Sequence, residues 1–145
     1  MLNLSNMETK IKVIIVDDVL MTRLGLSQMF RRIETAEIIG EAENGKAFLE
    51  LIEVKKPEVV LMDIKMPVMD GLEATKRALN KYPNIKIIAL TADSNESAIE
   101  EMILSGAKGF LLKSVGVSEL QKAIETVLSG RTYYSSELVS MYKLK

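Results

Sequence analysis

The chain alternates between short aliphatic segments and longer segments in which apolar residues have helical spacing. Residues 11–16 read IKVIIV, and further aliphatic segments occur at 37–42, 58–62, 85–90 and 108–112. Segments of this length and composition are typical of strands that are buried on both faces. After each of them, apolar residues recur every three or four positions, which predicts helices at about 20–32, 45–54, 71–80, 95–104 and 117–129. The pattern therefore predicts β-α units repeated along the chain.

Proline and glycine residues fall at the boundaries of these segments. Pro57 and Pro83 precede the third and fourth strands, where proline favours extended backbone. Gly106 and Gly130 follow the fourth and fifth helices, the position at which glycine most often ends a helix. Ser118 precedes the apolar residues of the fifth helix and is predicted to cap its N-terminus.

Repeated β-α units with strands this apolar predict an α/β fold, in which helices cover both faces of a parallel sheet. Right-handed crossovers are expected, and in such sheets ligands bind beyond the carboxyl ends of the strands. We expect an N-terminal extension at residues 1–9, one folded domain at 10–130 and a linker or helical tail at 131–145.

The composition narrows the chemistry. The 145 residues suit one domain, and 48% of them are hydrophobic and 27% charged. Because the chain has no Cys and no His, disulfides, thiolate chemistry, Ser-His-Asp catalysis and Cys or His metal ligands are excluded. The net charge of −1 gives no indication of a nucleic-acid or membrane surface. No apolar stretch approaches the roughly 20 residues of a membrane span, and the first residues lack the apolar core of a signal peptide, so a cytoplasmic location is expected.

Polar residues lie at the ends of four predicted strands: Asp17 and Asp18 after the first, Asp63 after the third, Thr91 after the fourth and Lys113 after the fifth. Because the carboxyl ends of parallel strands meet at one edge of the sheet, we expect these side chains to surround one point. Neighbouring carboxylates resist ionisation unless a cation lies between them, and Mg²⁺ prefers one or two carboxylates together with phosphate oxygen. A lysine and a threonine beside them suit an anion. The set predicts phosphoryl transfer to an aspartate nucleophile.

Each of these residues alone also has an ordinary structural interpretation. Asp17 and Asp18 would fit equally well as loop acids or as a cap of the first helix. Asp63 alone would fit a turn, Thr91 a helix cap and Lys113 a solvated surface position. Only their combination at one sheet edge favours a functional site.

Together these motifs resemble a known family. The acid pair Asp17–Asp18, the segment DIKMPVMDG at 63–71, the pair Thr91–Ala92 and Lys113 after GAKGFLL are similar in order and spacing to the receiver domain of two-component response regulators. The resemblance covers residues 10–130. It implies a doubly wound (βα)5, flavodoxin-like three-layer sandwich with a five-stranded parallel sheet in the order 2-1-3-4-5.

The resemblance implies a phosphorylation site and its metal ligands. Asp63 is then the phosphoacceptor, and a sensor histidine kinase or a phosphotransfer protein supplies the phosphoryl group. Asp18 and Asp63 bind Mg²⁺ directly, with the backbone carbonyl of Lys65 as a further ligand and Asp17 acting through water. Such a domain catalyses its own phosphorylation and dephosphorylation but is mainly a signalling switch.

The resemblance also implies how the switch works. Thr91 binds one phosphoryl oxygen and Lys113 another. Inward movement of Thr91 makes room for Phe110, the switch aromatic, to turn inward. The surface formed by the fourth helix, the fourth and fifth strands and the fifth helix then changes shape.

Three residues of this chain lie at positions where receiver domains vary or where the chain differs from many of them. The resemblance implies that Lys65, two residues after the phosphoacceptor, and Asp93, two after Thr91, occupy variable positions that tune hydrolysis of the phosphoryl group. Ser114 follows Lys113 where many receivers have proline after a cis peptide bond. A cis bond before serine costs about 2.5–4 kcal/mol. The bond is therefore either trans with a displaced Lys113, or held cis by its surroundings.

Other functions of similar α/β domains fit this sequence less well. Phosphatases of the haloacid dehalogenase type need a second aspartate two residues after the nucleophile, where this chain has Lys65. Nucleotide-binding motifs of the GxxxxGK[ST] and GxGxxG types are absent from the sequence. The alternative that stays open is a pseudo-receiver, which has the same fold but acts without phosphorylation as a protein-interaction module.

The last residues, GRTYYSSELVSMYKLK from Gly130, resemble the linker of regulators that carry a LuxR-type helix-turn-helix output domain. The chain contains no such domain, so DNA would be bound only through an output domain outside it, and transcription is the implied output. Phosphorylation-dependent homodimerisation is also implied. The apolar spacing of Leu138, Val139, Met141 and Tyr142 predicts a helix that docks on this domain or on a partner.

Overall fold

The structure is a computed structural model, which describes residues 9–92 and 96–142. The strands are β1 (Ile11–Val16), β2 (Ala36–Ala42), β3 (Val59–Asp63), β4 (Lys86–Thr91), β5 (Gly109–Leu112) and β6 (Tyr133–Tyr134). The helices are α1 (Leu20–Phe30), α2 (Gly45–Leu51), α3 (Gly71–Lys81), α4 (Glu96–Leu104), α5 (Val117–Leu128) and α6 (Ser136–Tyr142). The first five strands and helices are those that the apolar pattern predicts, with small differences at their ends. None of the helices in the described ranges is long and apolar enough to cross a membrane.

The strands form one parallel sheet in the order β2-β1-β3-β4-β5-β6. The predicted α/β fold and the order of the first five strands are confirmed, but the prediction of five strands was one short. The additional strand, β6, pairs Tyr133 with Gly109 and Tyr134 with Phe110. A strand of two residues has no periodicity that a sequence pattern can detect, and only the neighbouring strand defines it.

The two faces of the sheet bury separate apolar clusters, as strand periodicity requires. Along β3, Val59 and Leu61 point to one face, while Val60 and Met62 point to the other. The first face is covered by α1 and α5, whose buried residues are Leu26, Phe30, Leu120, Ala123, Ile124 and Val127. The second face is covered by α2, α3 and α4, with Phe48, Ala74, Ala78, Ile99 and Met102, and it also buries Leu138 of α6. This three-layer arrangement leaves the carboxyl ends of the strands open as one edge.

The ends of the helices follow the predicted signals with one exception. Gly106 and Gly130 have φ values of 105° and 95°, in the left-handed region that glycine adopts without strain, after α4 and α5. The predicted cap at Ser118 was wrong, because α5 begins at Val117 and its N-cap residue is Gly116. Ser118 therefore lies inside the first turn, where its side chain cannot act as the cap.

Candidate functional site

The polar residues predicted to meet are brought together at the carboxyl edge of the sheet. Val16 pairs with Met62, so Asp17 after β1 lies level with Asp63 at the end of β3. Thr91 pairs with Leu112, so Lys113 after β5 lies one position beyond the end of β4. A cavity of about 280 Å³ opens there. It is lined by Asp18, Val19, Asp63, Ile64, Lys65, Thr91, Ala92, Ala98 and Lys113.

Three carboxylates form the acidic side of this site. Asp17, Asp18 and Asp63 each place one carboxylate oxygen within 4.8 Å of those of the other two. Asp17 is 1% exposed and Asp63 is 7% exposed, whereas Asp18 is exposed to solvent. One oxygen of Asp17 is fixed by the backbone, because its Oδ1 accepts a hydrogen bond of 2.8 Å from the N–H of Val19. Two of the three acids are therefore held in low-dielectric surroundings, where their repulsion is strong.

Lys113 is the cation that faces these acids. Its Nζ lies 2.8 Å from Oδ2 of Asp17 and 3.3 Å from Oδ2 of Asp63. Its backbone N–H donates to the carbonyl oxygen of Thr91 at 2.8 Å, which ties the end of β5 to the end of β4. The Lys113–Ser114 peptide is trans, since the described residues contain no cis peptide bond. The ammonium group thus reaches both carboxylates with a trans bond before Ser114. The alternative of a cis bond held by its surroundings is excluded.

The surroundings of Asp63 make its ionised form less favourable than that of an ordinary aspartate. Burial, followed by the negative charge of Asp17, raises the pKa of Asp63 from 3.8 to about 6, and the attraction of Lys113 opposes this rise only in part. Burial lowers the pKa of Lys113, but its hydrogen bond to Asp17 and the charges of both carboxylates outweigh this effect and raise the pKa. Lys113 is therefore an ammonium ion at neutral pH.

The donor set fits a hard divalent cation. Three carboxylates and one ammonium leave an excess of negative charge at the edge of the cavity. Oδ2 of Asp17 is buried, and the ammonium group of Lys113 lies 2.8 Å from it. Carboxylate oxygens are the ligands that Mg²⁺ prefers. Asp17, Asp18 and Asp63 are therefore the described residues that could hold such an ion, and Lys65, whose carbonyl was predicted as a further ligand, lines the same cavity.

The loop after β3 is shaped by two backbone features that the sequence did not reveal. A Cβ atom on Gly71 would overlap the carbonyl oxygen of Asp63, so only glycine lets the start of α3 approach the end of β3 this closely. The N–H of Gly71 donates to Ile64 O at 2.7 Å. Val68, exposed in the same loop, has a φ of 71°, which is unusual for a β-branched residue. The sequence marked Asp70–Gly71 only as a turn before a helix, and Asp70 does cap α3 by accepting from the N–H of Glu73 at 2.9 Å.

Arg23 is a further residue near the site that sequence reasoning missed. Its Nη1 donates to the carbonyl oxygen of Asp17 at 2.7 Å, and its Nε pairs with Glu41 at 3.1 Å. Arg23 therefore supports the backbone of the acid pair without pointing at the cavity. The only sequence signal was its place on α1, six residues after Asp17.

The two predicted switch residues share one face of the sheet. Phe110 pairs with Ala89, which lies two residues before Thr91 on β4, so their side chains point to the same side. Thr91 is 7% exposed at the cavity and Phe110 is fully buried. Asp93, the second predicted tuning residue, lies outside the described residues.

Comparison with known proteins gives a consistent result. The family model described as the response regulator receiver domain matches residues 13–125. The response regulator GacA of Pseudomonas aeruginosa is 37% identical over 135 residues, which is 93% of this chain and 63% of GacA. The transcriptional regulatory protein LnrK of Bacillus subtilis is 37% identical over 130 residues, which is 90% of this chain and 59% of LnrK. The chain thus spans about three fifths of the length of these curated relatives.

Solved structures show the same likeness. The crystal structure of a two-component response regulator of the LuxR family from Aurantimonas sp. SI85-9A1 has a TM-score of 0.84 and 26% sequence identity. The match covers 90% of this chain and 94% of that one. The signal receiver domain of the putative response regulator NarL from Mycobacterium tuberculosis has a TM-score of 0.77 and 32% identity, with 84% and 98% coverage.

Proposed function

The chain belongs to the response regulator receiver family, and we propose that it accepts a phosphoryl group on Asp63 from a sensor histidine kinase or a phosphotransfer protein. One observation carries this proposal. Asp63 ends β3 inside the cavity, within 3.3 Å of an ammonium group and beside two other carboxylates. An aspartate in this position has a cation to receive the transferred group and acids to hold a metal ion.

The proposed reaction is a phosphoryl transfer to a carboxylate. An oxygen of the Asp63 carboxylate attacks phosphorus, a P–O bond forms, and the bond to the donor histidine nitrogen breaks. Lys113, already 3.3 Å from Asp63, donates to one phosphoryl oxygen, and Thr91, which lines the same cavity, donates to another. Both residues neutralise or bind charge that is spread over the transferred group.

Mg²⁺ would neutralise further charge on the phosphoryl oxygens when it is bound. Asp18 and Asp63 are its proposed direct ligands, together with the backbone carbonyl of Lys65. Asp17 is proposed to act through water, which is compatible with its side chain, since Oδ1 accepts from Val19 and Oδ2 lies against Lys113. Burial and the charge of Asp17 raise the pKa of Asp63 to about 6, and a bound cation would lower it again by stabilising the ionised, nucleophilic carboxylate.

Two residues are proposed to tune the lifetime of the acyl phosphate. Lys65 lines the cavity two residues after Asp63, with an exposed position from which its side chain reaches either solvent or the phosphoryl group. Asp93 is proposed for the same role. Replacement of Lys65 by Ala, followed by the rate at which mass is lost from the phosphorylated protein, tests the first of these roles.

The proposed output is a change in the surface of α4, β4, β5 and α5 through Thr91 and Phe110. Relatives of the chain are named as response regulators and transcriptional regulatory proteins, and they are longer than this chain. We therefore propose transcriptional control through a LuxR-type output domain outside these residues, with homodimerisation on phosphorylation. DNA would be bound by that domain and not by the receiver.

The test is intact mass spectrometry after incubation with acetyl phosphate and Mg²⁺. We expect the wild-type chain to gain the mass of one phosphoryl group, and we expect Asp63→Asn and a chelator each to abolish the gain. Asp70→Asn, which changes an acid of the same loop that only caps α3, is the matched control and should still gain mass. A folded wild-type protein that gains no mass would instead support a pseudo-receiver that acts through protein contacts alone.

A further inference from the structure

The last described residues are attached to the strand that carries the switch aromatic. We call residues 131–142 the C-terminal segment. The N–H of Tyr133 donates to the carbonyl oxygen of Lys108 at 2.9 Å, and the N–H of Ser135 donates to that of Phe110 at 3.0 Å. These two bonds make β6 an additional parallel strand beside β5. Any shift of β5 near Phe110 therefore acts directly on the backbone of the C-terminal segment.

Side chains fix the same segment on both faces of the sheet. The ring of Tyr134 stacks on that of Phe110 with centroids 6.1 Å apart and an interplanar angle of 28°. Leu138 of α6 is fully buried in the apolar cluster that contains Phe110. On the other face, the hydroxyl of Tyr133 donates to Glu119 of α5 at 2.9 Å. The apolar spacing that includes Leu138 predicted a helix that docks. It did not reveal that Leu138 would share an apolar cluster with Phe110.

The opposite end of β5 lies in the phosphoacceptor site. Lys113 follows β5 directly, its N–H donates to Thr91 O, and its ammonium group contacts both buried carboxylates. Only two residues separate Lys113 from Phe110. One short strand thus joins the groups that would bind the phosphoryl group to the residue on which the C-terminal segment rests.

We propose that phosphorylation of Asp63 releases the C-terminal segment from β5, an inference that rests on the function proposed above. The phosphoryl group gives Lys113 and Thr91 a new binding partner, which changes the end of β5 and the surroundings of Phe110. The docked state depends on a strand of two residues and a helix of seven, and elements this small open before the rest of a fold. The segment is then a two-state element whose equilibrium the site biases, and it leads to whatever follows the receiver.

The first test is residue-resolved amide hydrogen exchange on the full 145-residue chain. Spectra are compared without ligand and with Mg²⁺ and beryllofluoride, which mimics an aspartyl phosphate. The amides of Tyr133 and Ser135 should exchange at least about fivefold faster with the mimic, the lower end of typical allosteric coupling. The amide of Lys86, which donates to Glu58 O at the amino ends of β3 and β4, should not change. Asp63→Asn should show no acceleration with the mimic.

The second test uses the reciprocity of coupling, since a docked segment that opposes phosphorylation must itself weaken binding of the mimic. Tyr134→Ala removes the stacked ring and should bind beryllofluoride about fivefold or more tightly than wild type. Tyr134→Phe keeps the ring and should bind like wild type. Leu138→Ala, which removes a different buried side chain of the same segment, should also bind beryllofluoride more tightly than wild type.

The outcomes separate this inference from the proposed function. If acetyl phosphate adds a phosphoryl group but the Tyr133 and Ser135 amides keep or increase their protection from exchange, the proposed release of the C-terminal segment is wrong. The proposed phosphorylation of Asp63 is then still supported. Unchanged affinity in both Tyr134→Ala and Leu138→Ala would also overturn the release. If the folded protein takes up neither the phosphoryl group nor the mimic, the proposed function fails and the release fails with it.

Discussion

The replacement Asp63→Asn tests whether the acidic site destabilises the metal-free protein. Asp63 is 7% exposed and shares its surroundings with Asp17 and Asp18, so its ionised form is disfavoured in the folded state. Asparagine has nearly the same shape and carries no charge. The variant should therefore be more stable than wild type in the absence of metal, although it removes the residue on which the proposed function depends.

The size of the effect follows from the pKa of Asp63. This pKa is about 6 in the folded state against 3.8 for an ordinary aspartate, a difference worth about 3 kcal/mol. Because the folded pKa is the higher one, the folded protein binds more protons than the unfolded chain between these values. The free energy of unfolding therefore falls as pH rises from about 4 to about 6 and stays reduced above that. We expect Asp63→Asn to gain about 1–3 kcal/mol near pH 8 and almost nothing near pH 4.

The assay is urea unfolding of both proteins in metal-free buffer at these two pH values. Glu37→Gln, which neutralises an exposed acid on β2, is the matched control and should change stability by less than about 0.5 kcal/mol. Saturating Mg²⁺ should stabilise wild type but hardly affect Asp63→Asn, which narrows or reverses their difference. If the variant is less stable than wild type near pH 8, or is stabilised equally at both pH values, then ionised Asp63 does not destabilise the folded protein and the reasoning is refuted.

The remaining predictions concern Lys113 and three positions at which backbone conformation or the space around Cβ decides the effect. Lys113→Met should raise the pKa of Asp63 above its wild-type value of about 6 in an NMR titration of the metal-free protein, and it should slow phosphoryl uptake in a mass time course by about 100-fold or more. Gly71→Ala should destabilise the fold by about 2 kcal/mol or more in urea unfolding, because the added methyl group meets Asp63 O. Gly25→Ala on α1, where a Cβ meets nothing within 4 Å, should instead stabilise it by about 0.5–1 kcal/mol. Val68→Gly should stabilise the fold by about 0.5–1 kcal/mol in the same assay, since it relieves a β-branched residue at a φ of 71°.

The sheet edge could be predicted from the sequence because topology fixes it. Once the aliphatic segments are read as parallel strands, the residues after them must meet, and the structure does bring Asp18, Asp63, Thr91 and Lys113 into one cavity. Their contacts with one another were not predictable in the same way. That Lys113 lies nearer to Asp17 than to Asp63 depends on backbone positions that no spacing encodes.

The features that were missed depend on contacts between distant segments. Tyr133–Tyr134 becomes a strand only because β5 offers a free edge, and Gly71 is needed only because α3 begins against the end of β3. Ser118 shows the opposite error, since a residue type favoured at caps was assigned that role although it lies two residues after the N-cap residue Gly116. Local composition indicates which elements form, while their exact ends follow from packing.

Lys113 links the electrostatics of the site to the shape of β5. In the metal-free protein it balances one of three carboxylates, which leaves about two negative charges for a divalent cation to balance. When a cation balances the charge of those acids, the ammonium group of Lys113 is attracted less strongly to Asp17 and Asp63. It is then available to bind a phosphoryl oxygen. The residue is anchored through its own backbone to Thr91, so a change of partner at its tip is transmitted to the ends of two strands. For this reason we expect the effects of Asp63→Asn and Lys113→Met on the protection of the C-terminal segment to be strongly non-additive, because both act through the same end of β5.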